Sequence, residues 1–362
     1  MMSTVNDVQE NVKKYYGNRL ESSGDLQTSA ASCSLSCSTV PLSVRDALGM
    51  VHPQVTKRFF GCGLPFPAKL EGCRVLDLGS GSGRDCYAFS KLVGQSGHVT
   101  GIDMTEELIA ASRQYIEYHQ KTFGYKEPNV TFVQGYMEKL AEAGIQNDSV
   151  DVVLSNCVIC LCPDKRAVLQ QAYNVLKEGG ELYFSDMYAS EVVPDHMKQD
   201  PVLWGEGMGG SLFWQDLISL ASSIGFSTPR LVSASHIVVY NRELYVKAGD
   251  IRYASGTYRL FKLPQTSVRC EAIVTYKGTV ADFPDQLDFD SSHCFQKDVA
   301  VEVNAEMATI LQSSRFFPDF QIQMLDKQES SSESPSQYCY LNPFLLADKL
   351  GSSVRKCSKT SK

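Results

Sequence analysis

The stretch "VLDLGSGSGRD", residues 75–85, decides how this chain folds. An apolar run ending at Asp77 and Leu78 reads as a buried strand. Gly79, Gly81 and Gly83 then allow a tight turn and a close approach of backbone to ligand, and a helix is expected to begin near Arg84. Twenty positions after Gly83 a second apolar run, HVTGIDM, ends in Asp103 and Met104, which puts a carboxylate where both hydroxyls of a ribose can be accepted. Working outward, short apolar runs alternate with amphipathic helical windows from Gly72 to about Tyr240: CRVLDLG, RDCYAFSKLVG, HVTGIDM, EELIAASRQYIEYHQ, VTFVQG, VDVVLSN, KRAVLQQAYNVLK and ELYFSD. Alternation at this spacing predicts βαβ units and a mainly parallel Rossmann-like α/β sheet with helices on both faces.

The remaining texture divides the chain. Residues 1–57 are polar and helix-prone, interrupted by the Ser- and Cys-rich segment "SAASCSLSCST" at 29–39, which reads as a loop. Residues 58–240 carry the alternating pattern. Residues 241–326 hold more β-branched and aromatic residues and predict a small α+β C-terminal domain. Residues 327–362 read as a linker and a disordered tail. A chain of 362 residues with 43% hydrophobic content folds by burial. Twelve cysteines without an apolar leader between Met1 and Gly24 point to reduced, cytoplasmic thiols rather than a disulfide scaffold. No run of 18 apolar residues predicts a membrane span, and a net charge of −7 gives no reason to bind nucleic acid. The six histidines are scattered and read as structural or surface residues.

A dinucleotide fingerprint would need glycine at position 84, where this chain has Arg84, and no phosphate-binding P-loop follows the strand. The glycine loop instead resembles the first motif of class I methyltransferases, which implies S-adenosylmethionine as cofactor. Further motifs of that class follow in register. "QGYMEKL" implies Met137 against the adenine face and Glu138 near its amino group; for Glu138 a solvated helix carboxylate is an equal reading. "DVVLSN" implies Asn156 at the cofactor edge, and "LKEGGELYFSD" the turn into the fifth strand.

The stretch "SNCVICLC", 155–162, places three thiols at the end of the fourth predicted strand, where an acceptor should sit. A cysteine usually packs as a small apolar residue, the reading taken for Cys73 and Cys86 and provisionally for Cys160 and Cys162. A zinc fragment lacks its second ligand pair. With "GDLQT" at 24–28, "RFFGCG" at 58–63, "SNCVICL", "VLWGEGMGGSLFW" and "YRLFK", nearly the whole chain resembles the arsenite methyltransferase family. The resemblance implies trivalent arsenic, as arsenite or a methylated arsenical, held on the thiolates of Cys157, Cys62 and Cys33 or its neighbour Cys37, with glutathione or thioredoxin restoring the thiols. The family pattern departs at two places. Gly207 follows Trp204-Gly205-Glu206 where a ligand cysteine is expected, and Phe59 and Phe60 replace tyrosines. Arsenic would then be held by Cys157, Cys62 and a loop cysteine, or Cys160 or Cys162 would substitute if the backbone allows; alternation along the strand points Cys160 opposite to Cys157, and Cys162 lies further along the chain. A small organic acceptor and a thiol-based arsenic-binding protein with little turnover are the competing readings.

Overall fold

The computed structural model describes residues 5–20, 22, 25–29, 40–265, 270–328 and 339–357. Three helices come first: α1 (Val5–Lys14), α2 (Leu42–Gly49) and α3 (Pro53–Lys57). The glycine-loop unit follows as β1 (Arg74–Leu78), α4 (Arg84–Val93), β2 (His98–Asp103), α5 (Glu106–Arg113), α6 (Ile116–Phe123) and β3 (Val130–Gln134). β4 (Val150–Asn156), α7 (Lys165–Val175) and β5 (Leu176–Ala189) repeat the pattern, and Asp164 caps α7 by accepting the Ala167 N–H at 2.9 Å. Then come α8 (Asp195–Lys198), α9 (Pro201–Gly205), β6 (Leu212–Phe213), α10 (Trp214–Ile224), β7 (Arg230–Ile237), α11 (Arg242–Ala248) and β8 (Tyr253–Phe261).

These strands form one eight-stranded sheet in the order β3-β2-β1-β4-β5-β8-β7, with β6 beside β5. β1 to β5 pair in parallel, whereas β8 runs antiparallel between β5 and β7. The expected α/β architecture is therefore present. Leu76, Leu78, Val152, Val153 and Leu154 at the centre are essentially inaccessible to solvent, and burying each such side chain stabilises the fold by about 1.5–3 kcal/mol. The sheet does not stop at the boundary expected near residue 240. β8 is buried at every position and joins the main sheet, because strand pairing is non-local and leaves no mark on local composition.

A second sheet, β12-β9-β13, forms from β9 (Cys270–Tyr276), β12 (Ala300–Val303) and β13 (Phe320–Gln328); between them β10 (Gln286–Asp288) and β11 (Cys294–Gln296) form a hairpin, and α12 (Ala305–Ser313) packs on β9. It is fastened to the main sheet by Glu181, which is wholly buried and paired with Arg259 at 2.8 Å and with Arg315. Burial alone would raise the Glu181 carboxyl, but the two guanidiniums hold it below its ordinary range. The expectation of a disordered tail over 327–362 is corrected for its described part. α13 (Pro343–Cys357) lies on β7, Leu341, Phe344 and Ala347 are buried, and the Tyr258 hydroxyl donates to the Leu341 carbonyl at 2.7 Å. The spacing of these three apolar residues is helical, but the Ser-rich flank dominates the composition there.

Candidate functional site

The three loop glycines adopt positive φ, at 68°, 52° and 88° for Gly79, Gly81 and Gly83, and α4 begins at Arg84 as its sequence implied. A Cβ on Gly83 would lie 2.7 Å from the Phe132 ring, whereas one on Gly81 would meet nothing within 4 Å and would point into open space. That space is an open cleft at the C-terminal ends of the parallel strands, where ligands of α/β folds bind. Asp77, Gly79, Gly81, Asp103, Met104, Met137, Glu138 and Asn156 all line it, as does Cys157.

Asp103 is fixed by two backbone donors, the Gly81 N–H at 2.9 Å to one oxygen and the Thr105 N–H at 2.8 Å to the other. The Thr105 side chain also bonds this carboxylate, which keeps acceptor capacity for a ligand hydroxyl. The buried hydroxyl of Ser80 has no hydrogen-bond partner among the described residues, and neither has Arg58 Nε on the same wall. Burial, then the nearby Asp85 charge, push the Asp77 carboxyl up to about 8. Together the glycine cradle, the unpaired Ser80 hydroxyl and the buried carboxyl groups of Asp77 and Asp103 fit S-adenosylmethionine.

Helix α1 roofs this cleft. Gln9 donates to Glu138 at 3.1 Å, and Lys13 donates to the Tyr136 hydroxyl at 2.6 Å. Glu138 is thus engaged by a side chain 129 residues away rather than left to solvent. Arg84 stacks on Phe59, its guanidinium carbon 3.1 Å from the ring centroid, while it pairs with Asp85 at 2.5 Å. Phe60 meets the Tyr16 ring edge-on at 5.4 Å. The two phenylalanines therefore keep ring packing at positions where the resemblance expects hydroxyls.

The thiols gather where β4 ends. Cys157 leaves the strand with φ 60°, and a single helical turn over Ile159–Leu161 wraps the chain back. The expectation that alternation points Cys160 away from Cys157 is overturned for this reason: the strand has already ended. The Cys157 and Cys160 sulfurs and a carboxylate oxygen of Asp186 all lie within 4.8 Å of one another. Cys62 also reaches Cys157. Thiol hydrogen bonds to Cys160 and Cys62, followed by burial, raise the Cys157 thiol well above its ordinary value. For Cys160 the bond from Cys157 acts downward, but burial and the Asp186 charge win and push it up to about 11. In the ligand-free chain both thiols therefore favour the protonated form at neutral pH.

Cys62 is delivered by the Gly-Cys-Gly turn. A Cβ on Gly61 would sit 2.5 Å from Asn156 Cγ, and one on Gly63 would collide with the Ser185 hydroxyl, so only glycines let the turn pass between them. Asn156 clasps it, accepting the Gly63 N–H at 3.1 Å and donating to the Gly63 carbonyl at 3.0 Å and to Asp85 at 2.9 Å. Ser255 donates to the Cys62 carbonyl at 2.9 Å. Cys162 turns elsewhere, with its sulfur 3.3 Å from that of Met137. Cys86 donates to Asp77 at 3.1 Å, and Cys73 is buried. Cys62, Cys157 and Cys160 are all free thiols. Cys33 and Cys37 lie outside the described residues. The chain preceding them is pinned at the site, since the buried Glu206 accepts from the Tyr15 hydroxyl at 2.6 Å and from the Gln27 N–H at 3.0 Å. Gln9 and Lys13 carry no chemical motif, and only the amphipathic pattern of α1 hinted at a buried face; Asp186 and Glu206 lie inside the LKEGGELYFSD and VLWGEGMGGSLFW motifs, which imply no role for them. No helix among the described residues is long and apolar enough to cross a membrane.

Comparison with known proteins gives matches along most of the chain. Residues 69–225 match the methyltransferase domain family, and residues 269–362 match the arsenite methyltransferase C-terminal domain. The chain is 50% identical to the arsenite methyltransferase of Mus musculus over 95% of this chain and 92% of that protein. It is 46% identical to the arsenite methyltransferase of Homo sapiens, over 97% and 94%. Among solved structures, an arsenic(III) S-adenosylmethionine methyltransferase from Chlamydomonas reinhardtii superposes with a TM-score of 0.77 at 40% identity, covering 82% of this chain and all of that one.

Proposed function

The chain belongs to the arsenite methyltransferase family, and from that premise we propose that it methylates trivalent arsenic held on the thiolates of Cys157 and Cys62, with Cys33 as the recycling thiol. S-adenosylmethionine is the methyl donor and supplies an electrophilic methyl group on a sulfonium. The observation that carries the reading is the position of Cys157, which lines the cofactor cleft and at the same time contacts two other thiols.

Trivalent arsenic is a soft centre with three bonding positions and one lone pair, so thiolates suit it better than carboxylates or imidazoles. With its bonding positions on sulfur, the lone pair is the nucleophile. The residues contribute chiefly by orientation: Cys157 holds arsenic at the cleft wall, and the Asn156 clasp holds Cys62 beside it. Forming a carbon bond from the lone pair oxidises arsenic by two electrons, so a further round needs a reductant. A disulfide between Cys33 and Cys62 would return those electrons and would in turn be reduced by glutathione or thioredoxin. The anchoring of residues 25–29 by Glu206 and by the Thr28–Val239 bridge supports a loop thiol working here.

The test is Cys157→Ser, assayed with labelled S-adenosylmethionine, arsenite, glutathione and a thioredoxin system. Methylated arsenicals should vanish while cofactor binding persists. Product at the wild-type rate would refute the role of Cys157, and loss of cofactor binding as well would make the residue structural.

A further inference from the structure

Gly207 stands where the resemblance expects a third arsenic ligand, and it offers none. The space it leaves is not empty of sulfur. A Cβ built on Gly207 would lie 3.2 Å from the Cys160 sulfur and 3.4 Å from the methyl group of Met187. A thiol at 207 and the thiol of Cys160 would thus serve the same volume from two different loops. We propose that Cys160 is the third sulfur ligand of arsenic in this chain, completing with Cys157 and Cys62 a site whose usual third thiolate is missing.

This inference rests on the function proposed above and deepens it. Three observations support it. The Cys160 and Cys157 sulfurs and a carboxylate oxygen of Asp186 lie within 4.8 Å of one another, and Cys62 belongs to the same buried cluster. Cys160 is held there by design of the local backbone: the left-handed turn at Cys157 starts the helical loop, and Asp186 fixes it by accepting the Cys160 N–H at 3.1 Å and the Met187 N–H at 2.7 Å. Apart from the Asp186 carboxylate the surroundings are apolar and buried, with Met187, Met208, Leu203 and Cys62 in the same cluster, which suits a soft, uncharged arsenic–trithiolate better than a hydrated ion.

The binding step balances without redox change. Arsenious acid carries three hydroxides and each cysteine one proton. Three As–S bonds form as three As–O and three S–H bonds break, and three water molecules leave. No base is required, because each thiol proton departs on a leaving hydroxide. A monomethylated trivalent arsenical has only two exchangeable positions and therefore needs two thiols. Cys160 is accordingly a specificity-determining residue: it matters for arsenite and is dispensable for the methylated acceptor.

The experiment uses the full chain loaded with one equivalent of arsenite, without methyl donor, and reads arsenic X-ray absorption together with arsenite and methylarsonous acid affinities. Wild type should show three sulfur neighbours. Cys160→Ser should show two sulfurs and one oxygen, and should weaken arsenite binding by about 100-fold, the order of one tethered contact, while leaving methylarsonous acid binding unchanged. Unaltered S-adenosylmethionine binding in the variant checks that it folds, with Cys160→Ala as a second variant of the same prediction. Three sulfurs persisting in both variants would overturn the inference, showing that a loop cysteine is the third ligand, and would leave the roles of Cys157 and Cys62 standing. Equal weakening of both arsenicals would overturn it as well, making Cys160 structural. Arsenite bound with no sulfur neighbour in wild type would overturn the underlying reading along with it.

Discussion

Asn156 ties Asp85 in the first turn of α4 to the turn that carries Cys62, and replacing it by aspartate exchanges an amide NH2 for an oxygen at almost constant volume. In Asn156→Asp the acceptor for the Gly63 N–H survives, but the donor that serves the Gly63 carbonyl at 3.0 Å and Asp85 at 2.9 Å is gone. A bond to a carbonyl contributes about 1 kcal/mol and one to a carboxylate about 2 kcal/mol, so near pH 8 the variant should lose about 3 kcal/mol. Two carboxylates then face each other, which raises the affinity of the introduced group for a proton. Protonated, it can donate one bond again, so near pH 5 the loss should shrink to about 1–2 kcal/mol. Asn156→Ala, which introduces no titratable group, should show no such recovery. Both tryptophans, Trp204 and Trp214, lie in the methyltransferase part of the chain, so urea unfolding followed by their fluorescence at the two pH values reads the difference. The dithiol probe phenylarsine oxide should also bind Asn156→Asp more weakly, because the Cys62 turn is no longer clasped. A destabilisation below 1 kcal/mol, or one equal at both pH values, would refute the reasoning.

Asp77 is raised by burial, and then by Asp85, to about 8, so in the ligand-free chain the protonated form is favoured at neutral pH. Its contribution to stability is fully present below the ordinary carboxylate range and is lost as pH rises through about 8; cofactor affinity, measured by calorimetry, should run the opposite way and climb up to tenfold per pH unit toward pH 8, a slope absent in Asp77→Asn. Glu206→Gln weakens the charge-assisted bonds from Tyr15 and Gln27, and amide exchange at Gln27 should accelerate about fivefold, corresponding to about 1 kcal/mol; unchanged protection would contradict the anchoring role. Gly207→Cys places a side chain at φ 82°, and urea unfolding should show a loss of about 1–2 kcal/mol, with a neutral result counting against the strain.

Much of the fold was legible because its demands are local. The glycine loop needs residues that accept positive φ, and Asp103 ends a strand whose apolar run is unbroken, so both announced themselves as residue types at a spacing. The cofactor cleft followed from them. The thiol site was legible only in part. Cys157 was placed by its strand, but Cys160 was read as pointing away, because the reversal at Cys157 happens at a non-glycine residue that carries no turn signal. Gln9, Lys13 and Glu206 reach the cleft and its neighbourhood only through contacts between segments far apart in sequence, which local patterns do not encode. The same limit hid β8 within the main sheet and α13 behind a Ser-rich flank.

The central claim is that this chain transfers methyl groups to arsenic with the thiols it has, although Gly207 supplies none. The most direct measurement offers purified protein labelled S-adenosylmethionine with glutathione and thioredoxin, and either arsenite or methylarsonous acid in separate reactions, followed by chromatography of the arsenic species. The account predicts label in methylated arsenicals from both acceptors. No labelled arsenical from either, with cofactor binding confirmed, would contradict it.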